Sequence, residues 1–170
     1  MSIAIILLLF LGTHFSNDLA LRAQSISNGV TDDKVVILTF DDGWKSQFTN
    51  AKPILDKYGF KAALYIVCNY IGNKPGYMGW NQVKQLNQDD LDIGSHSMNH
   101  LRLDMLSTKD AKFEVAQSKK CIEEHKIGVR SFAYLFDAGS NDKKVVNIIS
   151  KNYDLARTAD SPLTYLHCDG

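Results

Sequence analysis

The sequence predicts an α/β fold on a parallel sheet or barrel, and three observations carry that prediction. Short apolar runs, several rich in β-branched residues, recur along the chain; segments with helix start and stop signals separate them; and polar, chemistry-bearing residues follow directly on the apolar runs. Continuous apolar runs mark strands covered on both faces, and strands alternating with helices form parallel sheets. In such folds active sites collect at the carboxyl ends of the strands.

The elements follow in order. Val35-Val36-Ile37-Leu38-Thr39-Phe40 reads as the first strand. Residues 47–58 read as a helix closed by Gly59, a residue that readily takes the left-handed turn beyond a helix end, with Pro53 as an expected kink. Ala62-Ala63-Leu64-Tyr65-Ile66-Val67 is a second buried strand. A loop with Gly and Pro then leads to a short helix over 81–87. Asp92-Ile93-Gly94-Ser95 is a third strand, and Ser107 with Asp110 starts a long helix running to about His125. That histidine is expected to favour the helix dipole. Phe132-Ala133-Tyr134 is a fourth strand, residues 142–152 a helix, and Leu155-Ala156-Arg157-Thr158 a fifth strand.

Ahead of this series lies a different segment. Ile3 to Leu11 is apolar, but shorter than the ~20 residues that cross a bilayer. It fits the core of a secretory signal with Ala23-Gln24-Ser25 as a cleavage candidate, although no Lys or Arg follows Met1. Residues 1–25 are therefore expected to be a signal peptide or N-terminal anchor, 26–33 a linker, and 34–170 the folded domain. The expected location is secreted or at the cell surface, with membrane contact only through that anchor.

A chain of 170 residues suits one domain with one core. A formal net charge of zero offers no basic face, which argues against nucleic acid as a partner. Cys68 and Cys121 sit in apolar or helical contexts and read first as small buried hydrophobes. Cys168 lies near the end; in an exported protein one disulfide is conceivable, and spacing selects no pair.

Two clusters carry chemistry. Thr39-Phe40-Asp41-Asp42-Gly43 closes the first apolar run, and His96-Ser97-Met98-Asn99-His100 follows the third strand. Asp-Gly alone is a common turn. Two histidines at i, i+4 share a face if the segment is helical, a spacing that metal sites use. Taken together at strand ends, carboxylates and imidazoles suit a divalent ion such as Zn²⁺, with coordination left open for water and substrate.

These motifs resemble the first two motifs of the polysaccharide deacetylases, the family four carbohydrate esterases, over about Val35 to Thr158. The resemblance implies a distorted (β/α) barrel that removes N- or O-acetyl groups from a polysaccharide or oligosaccharide. It implies Asp41 as the catalytic base and Asp42, His96 and His100 as metal ligands, with zinc first and cobalt, nickel, iron or manganese as alternatives. Ser131-Phe132-Ala133-Tyr134-Leu135-Phe136-Asp137 is similar to the third motif, which assigns the Phe136 N–H to the oxyanion. Tyr134 and Trp80 are the candidate substrate-binding aromatics, with Tyr77 as a further groove candidate.

The third motif also departs from the pattern. Many members carry Arg where Ala133 stands, orienting the base. In a subgroup closer to this chain, Pro stands in place of Leu135 and Gly in place of Asp137. Family members continue past the fifth strand to a histidine that acts as general acid, a role His167 comes too early to fill. The barrel is therefore expected to be incomplete. Beside the deacetylase stands an alternative, a catalytically weak carbohydrate-binding module derived from one, and a third reading is a metal hydrolase of a non-sugar amide.

Overall fold

Five short strands, β1 Thr39–Asp42, β2 Ala63–Ile66, β3 Asp92–Ser95, β4 Ser131–Ala133 and β5 Leu155–Arg157, form one sheet in a computed structural model that describes residues 36–159. All four pairings are parallel and the spatial order is the sequence order. Each strand thus adds to the same side of the one before. Right-handed crossovers then put the connecting helices on one face, and the sheet curls around the other as half of a (β/α) barrel. The fold class is the one the sequence predicts.

Four α-helices cover the outer face: α1 Lys52–Tyr58, α2 Trp80–Gln88, α3 Thr108–Glu124 and α4 Lys143–Ile149. In α3, Ala111, Val115, Ser118 and Ile122 are buried at alternating spacings of four and three, the stripe of a helix lying on a core. Its start follows the sequence signal, since the Ser107 side chain accepts from the Asp110 N–H at 3.2 Å. The core between the layers holds Leu64, Ile66, Val83, Leu86, Val115, Phe132 and Ile149, all buried.

Two boundaries differ from expectation. The first strand is Thr39–Asp42 rather than 35–40, so both aspartates belong to the strand end instead of following it. The helix expected over 47–58 divides into a π-helical segment, Gln47–Ala51, and α1. Pro53 falls in the first turn of α1, directly after the π-helical segment. Gly59 does close α1, at φ 70°.

Cys68 and Cys121 form a disulfide across a Cα–Cα distance of 6.5 Å, joining the segment after β2 to α3. Sequence spacing selects no pair; the fold does. The apolar leader, the linker up to residue 33, His167 and Cys168 lie outside the described residues.

Candidate metal centre

Strand register builds the site. Asp42 is level with Ile66, Ile66 with Ser95, Ser95 with Phe132, and Ala133 with Arg157. One edge of the sheet therefore carries both aspartates, the turn into His96, the third motif and Arg157.

There Asp42, His96 and His100 come together, with one ligand atom from each lying within 4.8 Å of the others. Asp42 Oδ1 is 3.7 Å from His96 Nε2 and 3.2 Å from His100 Nε2. The histidines do not share a helical face, because residues 96–100 form an irregular loop. Ser97 and His100 take left-handed backbone conformations, φ 68° and 61°, and His100 N–H donates to Ser97 Oγ at 2.9 Å.

Several bonds pin that loop. Cys68 N–H and Asn69 N–H donate to the carbonyls of Ser97 and Met98. On the other side, buried Glu114 of α3 accepts from Asn99 N–H at 2.8 Å and from Asn99 Nδ2 at 2.6 Å.

His96 is buried, and its Nδ1–H donates to the Ala133 carbonyl at 2.9 Å. Burial pushes its imidazole below the ordinary value, against the opposing pull of Asp41 and the Ala133 carbonyl. With Nδ1–H given to that carbonyl, the neutral ring presents its Nε2 lone pair to a carboxylate oxygen. Two acceptors so placed repel each other unless a cation lies with them, so these donors fit a divalent ion. The second oxygen of Asp42 accepts from Trp44 Nε1 at 3.0 Å, which leaves Oδ1 toward the histidines.

Asp41 occupies the concave face, where an Arg157 Nη2 hydrogen bond reaches its Oδ1. Neighbouring strands lie ~4.8 Å apart, so a flat sheet would hold β1 and β5 roughly 19 Å from each other. Only the curl allows one side chain to cross. Tyr65 and Gly94, level with Asp41 on β2 and β3, line the way. The guanidinium lies over the Tyr65 ring at 4.7 Å. That ring covers Gly94, where a Cβ would collide with it and with Ser131 Oγ.

Backbone strain collects here. Among the described non-glycine residues with positive φ, Asp90 and Lys126 merely follow helix ends, while Asp42, Ser97, His100, Phe136 and Asp137 surround the site. Such strain persists where the surroundings enforce it, commonly at functional sites. Phe136 (φ 55°) and Asp137 (φ 51°) form a left-handed pair after β4. Aspartate is one of the few residues besides glycine that enter this region readily. Asp137 Oδ1 also accepts from Ala159 N–H at 2.9 Å.

The aromatic candidates separate. The exposed Phe136 ring meets His100 edge-on at 4.7 Å. Tyr134 is buried against Phe132, and its N–H donates to the Arg157 carbonyl. Trp80 opens α2 and stacks on His125 with centroids 3.6 Å apart. His125 follows the end of α3, and burial, then Lys84, pushes its imidazole below the ordinary value. Sequence reasoning missed Trp44 and Arg157 as site residues, although Trp44 directly follows the Asp-Asp-Gly cluster and Arg157 lies within the fifth strand.

Residues 28–154 match the family model described as polysaccharide deacetylase. YxkH of Bacillus subtilis is 36% identical over 91 residues, covering 54% of this chain and 32% of that protein. The peptidoglycan-N-acetylglucosamine deacetylase of Bacillus cereus is 28% identical over 94 residues, covering 55% of this chain and 42% of that protein. Among solved structures, the Streptococcus pyogenes deacetylase PplD in complex with acetate superposes with a TM-score of 0.67 at 27% identity, covering 80% of this chain and 60% of that one. The chain thus spans less than half of these curated relatives.

Proposed function

The chain belongs to the polysaccharide deacetylase family, and from that premise we propose that it is a metal-dependent hydrolase releasing acetyl groups from an N-acetylated polysaccharide. The observation that carries this reading is the convergence of Asp42, His96 and His100 beside an aspartate that a guanidinium holds in place.

Asp42, His96 and His100 would hold the divalent ion, and zinc suits one carboxylate with two imidazoles. When bound, it supplies Lewis acidity toward the acetyl carbonyl and favours ionisation of water. Asp41 takes the proton from the attacking water. Arg157 fixes the orientation of Asp41, the task performed elsewhere in the family from the position of Ala133. The Phe136 N–H, in its left-handed turn, is assigned to the developing oxyanion.

A disulfide between Cys68 and Cys121 supports the reading of an exported protein, since disulfides persist in oxidising surroundings. The test of the activity is acetate release from N-acetylglucosamine oligomers by zinc-loaded protein, beside Asp41→Asn. Release well above that variant is expected; equal rates would overturn the enzyme reading.

One observation favours the second reading, a weakly catalytic carbohydrate-binding module. Among the described residues, His125 stacks on Trp80 instead of joining Asp42, His96 and His100. Oligosaccharide binding without acetate release would select it.

A further inference from the structure

Trp44, immediately after the Asp-Asp-Gly turn, belongs to no motif discussed so far, yet it is the most firmly oriented exposed aromatic at the site. Three contacts fix it. Its indole N–H donates to Asp42 Oδ2 at 3.0 Å, Tyr77 stacks on its ring at 4.2 Å with planes 24° apart, and an antiparallel bridge pairs the two backbones. Tyr77 is held in turn by Tyr70, edge-on at 4.8 Å, and Lys74 Nζ lies 3.8 Å over the Tyr70 ring. Even so, Trp44 remains 43% exposed. With one face on Tyr77 and the N–H edge tied to Asp42, the open part is the opposite face. A large apolar ring kept in solvent and locked in orientation is an arrangement that core packing does not explain.

We propose that Trp44 is a stacking platform for a pyranose ring, seating the sugar next to the one whose acetyl group reaches the metal ligands. This rests on the deacetylase reading and deepens it by naming a residue of this chain for the sugar beside the reacting one. The equatorial substituents of such rings leave apolar C–H faces that suit an indole. A preorganised platform loses little freedom on binding. On the Tyr77 side of the stack, a shallow groove of about 360 Å³ carries Lys45, Asn73, Lys74 and Gln82, polar groups of the kind that sugar hydroxyls take. The exposed Phe136 ring also borders the site, edge-on to His100.

The test measures calorimetric binding of N-acetylglucosamine and its tetramer to zinc-loaded Asp41→Asn protein, alone and combined with Trp44→Ala or Trp44→Phe. Trp44→Ala is expected to weaken the tetramer roughly tenfold, the scale of one buried aromatic face, while the monosaccharide changes little. Trp44→Phe keeps a ring but loses the N–H, and should retain most tetramer affinity. Equal weakening by both variants would mean that the residue acts only through Asp42, and would overturn the platform. So would an unchanged preference for the tetramer in Trp44→Ala. If wild-type protein releases acetate while those results hold, only the platform fails. If wild type neither binds the tetramer nor releases acetate, the deacetylase reading falls and the platform with it.

Discussion

Arg157, at the carboxyl end of β5, hydrogen-bonds Asp41, at the carboxyl end of β1, across 116 positions of sequence. Ala133, the position where many family members carry the orienting arginine, is the cross-strand partner of Arg157. In this chain the guanidinium comes from the neighbouring strand and reaches Asp41. Its Nε is buried without a hydrogen-bond partner among the described residues, an unfavourable state accepted in exchange for the reach to Asp41.

Arg157→Ala should therefore lower kcat by about a hundredfold while KM and zinc stoichiometry stay near wild type, because the base loses its orientation and not its presence. Arg157→Lys should recover part of the loss. Unchanged kcat in the alanine variant would remove Arg157 from the mechanism.

Gly94 keeps the crossing open. Gly94→Ala would drive a methyl group into the Tyr65 ring and Ser131 Oγ, and should destabilise the fold by about 1–3 kcal/mol. Its kcat should fall with that of Arg157→Ala, since Tyr65 supports the guanidinium. A urea titration and steady-state kinetics measure the two effects separately.

Glu114 is expected to act on the metal from a distance. It braces the histidine loop through two hydrogen bonds to Asn99. Glu114→Gln offers one acceptor where two donors arrive, so zinc affinity should fall roughly 10–100-fold, the usual scale for groups supporting a ligand. Competition with a chromogenic chelator reads this directly; an unchanged affinity would show that the loop holds itself.

The disulfide closes a loop with a sequence separation of 53. Loop-closure entropy puts its contribution at roughly 4 kcal/mol. Cys121→Ser should show that loss in oxidising buffer and none against wild type in reducing buffer, as judged by urea midpoints.

Tyr153 predicts alkaline lability. Burial raises its phenol to about 12, against weaker opposing hydrogen bonds from Ser118 and Ser95. The raised value means that this contribution to stability is complete below the ordinary value near 10 and is lost as pH climbs toward 12. On the order of 2 kcal/mol should disappear over that window. Tyr153→Phe should lack this part of the slope in denaturation curves taken across it.

What the sequence by itself determined was the local part of this protein. Apolar runs and helix caps placed all five strands, Gly59 signalled the end of the first helix, and the Asp-Asp and His…His clusters marked the candidate ligands, because periodicity, backbone preference and side-chain chemistry are properties of short segments. Tertiary structure decided the relations between segments. The two histidines converge through left-handed turns and bonds to Glu114 and Cys68, where their spacing also fits a helix. Cys68 found Cys121, Trp44 found Asp42, and Arg157 found Asp41. Each pairing depends on strand register, on loop geometry or on the curl of the sheet. Those are set by how the whole core packs, and no short stretch of sequence contains them.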